Sequence, residues 1–338
     1  MSDLVLALDV GGTQIRAALC DRSGAIHARM AVPTAGREGT EAVMNRIEHA
    51  LREVWLPQAD AGAIGVSAPG PLDPWTGVVF RCHNIPGWDD YPLAEILRRR
   101  LGLPVVVGDD ANLAALAEQR YGAGRGHDNL IYLTISTGVG SGIVVDGRLL
   151  LGARGIGAEA GCMIVDAGGP PCPSGSHRGC LESLVSGPAI ARRMRERIAR
   201  GERSSLVATP GGLGEITAHE VAEAAQAGDP LATDVLREAG VYLGLGLVSL
   251  LHLFNPEVIV VGGSVCKAGA LLLEPAREVV RQQCLTDRYW RELSMVPAAL
   301  GDDVALVGAA ALAWDYLQGV TPARVPHDRA SSAGKEIA

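Results

Sequence analysis

The sequence predicts an α/β protein with two lobes, mixed β-sheets flanked by helices, and a ligand cleft between the lobes. The first observation is the stretch LVLALDVGGTQIRAALC at 4–20, where two apolar strand-like runs flank an acid and a glycine-rich turn. A second stretch at 130–145 repeats this arrangement, and segments with helical spacing lie between and after the two. The chain has 338 residues and is 48% hydrophobic, which is enough for two domains with substantial cores.

The first stretch indicates a hairpin that can hold phosphate. Residues 4–8 form a buried strand, Asp9 lies at its tip, and residues 15–20 form the returning strand. The turn allows amide groups to approach phosphate oxygens, and the Asp9 carboxylate would hold Mg²⁺ directly or through water. The predicted phosphate-binding residues of the turn are Gly11, Gly12 and Thr13. An ordinary glycine turn is the alternative, which this motif alone leaves open.

The second stretch offers a matching turn. A buried strand at 130–135 precedes the glycine-rich residues 136–142, and a returning strand follows at 143–145. Two related halves could hold a phosphate chain from opposite sides, which suits a nucleotide bound between two lobes. The candidate nucleotide contacts here are Thr137, Gly138 and Gly140.

Between these hairpins the spacing predicts a strand at 25–32, a helix at 40–54 and a strand at 63–66, which begin a mixed sheet. Rigid proline and glycine loops follow at 67–73 and 84–88. A short buried strand at 103–107 then ends at Asp109 and Asp110, which open a helix to about Tyr121. Acids at such a strand end lie on the rim where open α/β sheets bind ligands. The alternative is that one of them only caps the helix.

The second half of the chain predicts a largely helical region. Helical spacing runs over 187–201 and 217–254, with Thr217 and Asp229 as N-caps and Pro230 in a first turn. A buried strand at 258–261 ends in a glycine pair, and a helix at 305–317 is expected to cross back onto the first domain. Residues 319–338, rich in Pro, Ser and charge, indicate a flexible tail.

Taken in order from Leu4 to about Leu317, these motifs resemble the ROK family (repressors, open reading frames, kinases) of the sugar-kinase, actin and heat-shock-70 ATPase superfamily. The resemblance implies a two-lobed ribonuclease H-like (actin-like ATPase) fold. The expected small lobe is 1–114 plus 304–318, and the expected large lobe is 115–303.

The resemblance also implies roles for individual residues. Asp110 matches the catalytic base, and Asp109 stands where the family usually has Asn. Two adjacent carboxylates repel, which raises the pKa of one of them. The other residues expected to frame the sugar are Gly70, Asn84, Glu159 and Glu182. Those expected to lie against the adenosine of ATP are Gly262 and Gly263.

The cysteine-rich segment departs from the family pattern, in which a His and three Cys hold a structural zinc. Cys162 replaces the His, Ser174 replaces the second Cys, and one residue is inserted, which supplies His177. The candidate ligands are therefore Cys162, Cys172, His177 and Cys180. Unmetallated thiols and a disulfide between two of these cysteines are the alternatives.

Composition excludes several classes of function. A net charge of −8 and a pI near 5.5 argue against nucleic acid or an anionic membrane as the main partner. The longest apolar stretch, 239–254, is shorter than a membrane span, and strand-like sequence from Leu4 leaves no room for a signal peptide. We expect a cytoplasmic protein whose seven cysteines do not form a disulfide framework.

The expected function is ATP- and Mg²⁺-dependent phosphorylation of a hexose at its 6-hydroxyl, with glucose as the favoured substrate. Mannose, fructose, an N-acetylhexosamine or a cyclitol are alternative substrates, and polyphosphate is an alternative donor. A sugar-binding ROK protein without kinase activity is another class. ROK repressors carry a winged helix-turn-helix before the first strand, where this sequence has three residues, so the kinase is favoured over a repressor. Homodimers or homotetramers are expected from the family.

Overall fold

A computed structural model describes residues 2–56, 60–82, 84–173, 175, 177–208 and 212–320. Ser174 and most of the predicted tail, 321–338, lie outside these residues. The strands are β1 Leu4–Val10, β2 Gln14–Asp21, β3 Ile26–Pro33, β4 Ala61–Ala68, β5 Leu72–Asp73, β6 Val78–Arg81, β7 Asp89–Tyr91, β8 Val105–Asp109, β9 Leu130–Ile135, β10 Val139–Val145, β11 Arg148–Leu149, β12 Val258–Gly262 and β13 Ser294–Pro297. The α-helices are α1 Thr40–Val54, α2 Leu93–Leu101, α3 Asp110–Tyr121, α4 Leu181–Val185, α5 Gly187–Ala199, α6 Ala218–Gln226, α7 Pro230–Phe254, α8 Ala270–Gln283 and α9 Val304–Leu317.

Two five-stranded sheets share one topology. The first has the order β3-β2-β1-β4-β8, and the second has the order β11-β10-β9-β12-β13. In each, an antiparallel three-stranded meander is extended by two parallel strands. The predicted mixed sheets and the repeat of the hairpin are therefore confirmed. The small antiparallel sheet β5-β6-β7 and the helices α2 and α8 were not predicted from the sequence.

Helix α3 lies between the two sheets. Leu113 and Leu116 pack with α9 and the first sheet, whereas Ala114 and Ala115 pack with the second sheet. A Cβ at position 142 in β10 would lie 2.5 Å from a backbone oxygen of α3, so only glycine permits this close approach. The N-terminus of α3 is consequently held at the rim of both sheets at once.

The second glycine-rich turn is shorter than predicted. The prediction gave 136–142 to the turn, but β10 already begins at Val139, so Gly140 lies within a strand. A Cβ on Gly140 would lie 3.1 Å from the Thr134 side chain and 3.2 Å from Ala111 of α3. Helix packing therefore explains why glycine continues beyond the turn itself.

The chain returns to the first sheet through residues 298–303, which we call the crossing segment. Glu118 of α3 is fully buried, and its carboxylate accepts the amide N–H groups of Ala299 at 2.9 Å and Leu300 at 3.0 Å. The same carboxylate accepts the N–H of Ala123 at 2.7 Å. After this segment α9 packs against β1 and β4. The crossing segment is thus tied directly to the central helix.

The helices expected in the large lobe begin where the sequence predicted. Thr217 and Glu220 form a capping box on α6, and Asp229 accepts the Ala232 amide at the start of α7. By length and composition α7 could cross a membrane, because it begins at Pro230 and not near 239. However, 56% of its most apolar window is buried inside the protein, where it packs against α6 and α8. We interpret α7 as the core helix of this lobe.

Candidate active site

The first glycine turn presents Asp9 at the end of β1, where its side chain is buried. Arg16 lies directly opposite in the hairpin register and donates from Nε and Nη2 to Asp9 Oδ2, at 2.9 and 2.7 Å. Arg16 Nη1 also donates to the carbonyl oxygen of Asp302 in the crossing segment, at 2.6 Å. Sequence reasoning missed Arg16, although opposite charges facing each other across a predicted hairpin are a usable signal.

The first turn also touches a predicted sugar loop. The amide of Gly11 donates to the Gln14 carbonyl at 2.9 Å, so it is used within the turn, whereas Gly12 and Thr13 are exposed. A Cβ on Gly12 would lie 2.6 Å from the Asn84 amide nitrogen. The turn and Asn84 are therefore in contact. A larger residue at position 12 would have to displace the Asn84 side chain.

The second turn is shaped by Glu182. Its Oε2 accepts the backbone N–H of Val139 at 3.0 Å, and a Cβ on Gly138 would lie 2.7 Å from the same oxygen. Thr137 is exposed at the tip of the turn. Glu182, which was expected at the sugar, therefore also holds the backbone of the second phosphate turn.

The two adjacent aspartates have different tasks. Asp109 is the N-cap of α3, and its Oδ1 accepts the amides of Ala111 at 3.1 Å and Asn112 at 3.5 Å. Its other oxygen faces Gly70, where a Cβ would lie 2.7 Å away. Asp110 is the first helical residue and is exposed to solvent. The capping alternative thus applies to Asp109, which leaves Asp110 available for chemistry.

The acids named from the sequence form one electrostatic group. Partial loss of hydration raises the pKa of Asp110 to about 7, and the charges of Asp109 and Asp9 add to this. Burial and then Glu159 raise the pKa of Asp109. Glu159 is exposed, and its own pKa is raised first by partial loss of hydration and then by Asp110 and Glu182. A cluster of this kind attracts a cation and keeps a carboxylate near neutral pH as a proton acceptor.

The shift of Asp110 predicts a pH dependence. If Asp110 is the proton acceptor, kcat/KM for the acceptor substrate should fall as the pH drops through about 7, because the protonated form is inactive. A profile from about pH 5.5 to 9 measures this limb. Asp109→Asn removes a neighbouring negative charge and should move the limb to lower pH. A flat profile across about pH 6 to 8 would argue against this assignment.

The predicted adenosine site lines a cleft of about 680 Å³. Gly263 has φ +89°, and a Cβ there would collide with the Ile135 carbonyl, so only glycine fits. A Cβ on Gly262 would lie 2.9 Å from the Tyr132 hydroxyl. Other lining residues, which sequence reasoning missed, are Arg16, Tyr132, Ser136, Ser264, Lys267, Ala298 and Asp302. The glycine pair thus shares one cleft with Arg16 of the first hairpin and with the crossing segment.

The structure brings together three of the four candidate metal ligands. The ligand atoms of Cys172, His177 and Cys180 all lie within 4.8 Å of one another, and His177 Nε2 is buried without a hydrogen-bond partner among the described residues. Cys162 is exposed in a 3₁₀ turn and is not a member of this group. The structure joins Cys172 and Cys180 as a disulfide. The donor set fits zinc when these two thiols are reduced, and the disulfide removes two of the donors.

Comparisons with known proteins cover nearly the whole chain. A family model described as "ROK family" matches residues 5–316. A glucokinase of Thermotoga maritima is 34% identical over 315 residues, which are 93% of this chain and 98% of that protein. A ROK hexokinase structure from Thermus thermophilus has a TM-score of 0.79 and 36% identity, covering 94% of this chain and 99% of that one. The structure of a ROK glucokinase from Streptomyces griseus in complex with glucose and AMPPNP has a TM-score of 0.75 and 36% identity, covering 92% and 99%.

Proposed function

Because this chain belongs to the ROK family, we propose that it is an ATP-dependent sugar kinase that phosphorylates the 6-hydroxyl of a hexose, with glucose as the favoured substrate. The support is that glucokinases of this family align with it over most of their length. The observation that carries the proposal is the position of Asp110, at the N-terminus of the helix that packs between the two sheets, each of which carries a glycine turn.

In the proposed reaction the sugar 6-oxygen attacks the γ-phosphorus of ATP, the bond to the bridging oxygen breaks, and ADP leaves. Asp110 accepts the proton of the attacking hydroxyl. Mg²⁺, when bound, neutralises charge on the phosphates, and Asp9 is the residue that would hold it. The two glycine turns would orient the phosphate chain, and Asn84 and Glu159 would bind sugar hydroxyls. Positioning and charge stabilisation supply most of the rate in such transfers.

A coupled assay of ADP release over a panel of hexoses, with and without Mg²⁺, tests this function. Sugar-dependent turnover with glucose ranked first is the expected result. Binding of glucose without any turnover would instead support the non-catalytic sugar-binding alternative. Turnover with polyphosphate and not ATP would change the proposed donor but not the class of enzyme.

We also propose a zinc site in the reduced protein, formed by Cys172, His177 and Cys180, with Cys162 as the candidate fourth ligand. The support is that His177 Nε2 is buried without a hydrogen-bond partner in the described part of the chain and lies near two sulfurs. The family resemblance implies at position 162 a zinc-binding His that would also reach the sugar, and Cys162 would not supply that second bond. Glu159 and Glu182 would hold this end of the sugar without it.

The zinc proposal predicts about one metal per chain in protein purified under reducing conditions. His177→Ala should lower both the metal content and Tm, because metal binding is coupled to folding of the loop. His219→Ala is the matched control, since His219 is exposed and pairs only with Glu223 among the described residues. A reduced, metal-free protein that is stable and active would rule out the site.

The proposed assembly is a cytoplasmic homodimer or homotetramer. Two exposed leucines support an interface, since Leu253 is 71% exposed and Leu285 is 83% exposed. The Leu285 amide donates to Nε2 of His252, the residue that precedes Leu253. Light scattering coupled to size exclusion measures the assembly directly.

A further inference from the structure

A groove lined by arginines lies beside the cysteine-rich loop, and we call it the arginine groove. It has a volume of about 530 Å³ and is lined by Arg178, Arg192 and Arg195, with Glu196 as the only acid. Its walls are stiffened by prolines at 170, 171, 173 and 188. The groove is therefore a local concentration of positive charge on a protein whose net charge is −8.

Hydrogen bonds within the protein engage only some of the N–H donors of these guanidinium groups. Arg192 donates to Glu196 at 3.0 Å and to the Ser183 carbonyl at 3.3 Å, and Arg195 donates to the Ile216 carbonyl at 2.9 Å. Arg178 has no side-chain hydrogen bond or ion pair with any residue that the structure describes. Because each guanidinium carries five N–H donors, several remain for an anion with multiple oxygens.

The floor of the groove is bonded to the second phosphate turn. Two of its lining residues are Ser183, within α4, and Ser186, the N-cap of α5. The next residue, Gly187, donates its amide to the Ser136 carbonyl at 2.8 Å. Glu182, which precedes Ser183, accepts the Val139 amide at 3.0 Å. Both ends of the turn at 136–139 are thus held by residues adjacent to the groove floor.

We propose that the arginine groove binds a phosphorylated small molecule and that its occupancy alters nucleotide binding at the second turn. Arginine clusters recognise phosphate through several charge-assisted hydrogen bonds, and the groove is large enough for a sugar phosphate. The product of the proposed kinase reaction belongs to this chemical class. Only the effect on turnover rests on the proposed function, since binding to the groove requires no catalysis.

The test is calorimetric titration of inorganic phosphate, and separately of glucose 6-phosphate, into full-length protein saturated with glucose and a non-hydrolysable ATP analogue. Blocking the active site leaves the groove as the binding site that is measured. We expect one saturable site per chain with a Kd on the order of 1 mM or tighter, weakened by salt. The double variant Arg178→Gln, Arg195→Gln should weaken it at least about tenfold, because two charged contacts are lost.

Arg281→Gln is the control, because Arg281 is an exposed arginine on α8 that pairs with Glu278 and lies outside the groove lining. It should bind the probe as the parent does, and near-equal Tm values show that all variants are folded. In kinetic assays inorganic phosphate should shift the KM for ATP in the parent but not in the double variant. No saturable binding, or equal binding by the double variant, would overturn the site. Binding that leaves the KM for ATP unchanged would indicate an adventitious ion only. It would overturn the proposed coupling between the arginine groove and the second turn. Tighter binding of glucose 6-phosphate than of phosphate would identify the sugar ester as the ligand source.

Discussion

Asp110→Asn is expected to abolish phosphoryl transfer, with a loss on the order of 10² to 10⁴-fold or more in kcat. The substitution removes the proton acceptor but keeps the shape of the side chain at the start of α3. Sugar binding should therefore change little, and calorimetry with glucose measures it separately from turnover.

The same variant should have a characteristic stability profile. The pKa of Asp110 is raised from 3.8 to about 7 in the folded protein, so the parent loses stability as the pH rises through this window. Asn does not titrate, so Asp110→Asn should raise Tm relative to the parent above about pH 7, and the gain should disappear near pH 4. Thermal melts at these two pH values separate an intact but inactive variant from a misfolded one.

Asp109→Asn is the matched control for Asp110→Asn. Asn is also a favoured N-cap, so the bonds to the amides of Ala111 and Asn112 are retained, and the change restores the residue usual in the family. We expect a mild effect or a gain in activity. If Asp110→Asn stays within a few-fold of the parent while Asp109→Asn is inactive, Asp109 is the base.

Asp9→Ala is expected to remove Mg²⁺-dependent turnover, with a loss on the order of 10²-fold or more, because a group that stabilises transferred charge is lost. The structure adds a second cause, since Arg16 loses both bonds to Asp9 Oδ2 and keeps only the Asp302 carbonyl. An unpaired cation would then remain at the first turn.

Two measurements separate these causes. Asp9→Asn retains an acceptor for Arg16 but lacks the charge that a hard cation requires, so it should also lose the Mg²⁺ response. Calorimetry of an ATP analogue with and without Mg²⁺ reports on the metal without relying on activity. An unchanged Mg²⁺ titration in Asp9→Ala would refute the role of Asp9.

Short-range patterns explain why much of the fold was predictable. The strands β1 and β9 are continuous apolar runs because both faces are buried, and such runs are visible in any sequence. Thr217 and Asp229 were identifiable as caps because a cap bonds to amides only two or three residues away. The three-stranded sheet was missed because its strands are only two to four residues long. Helix α2 was missed because Leu93–Leu101 is short, so its apolar pattern is correspondingly brief.

The sequence by itself determined the fold class and the repeated hairpin, since each of these depends on local residue order. Only the tertiary structure decided how the acidic side chains divide the work. The bond from the Val139 amide to Glu182 spans 43 residues, and the bonds from the amides of Ala299 and Leu300 to Glu118 span 181 and 182 residues. Contacts of this kind depend on how α3, α4 and the two sheets pack against one another, and no periodicity in a single segment encodes that packing.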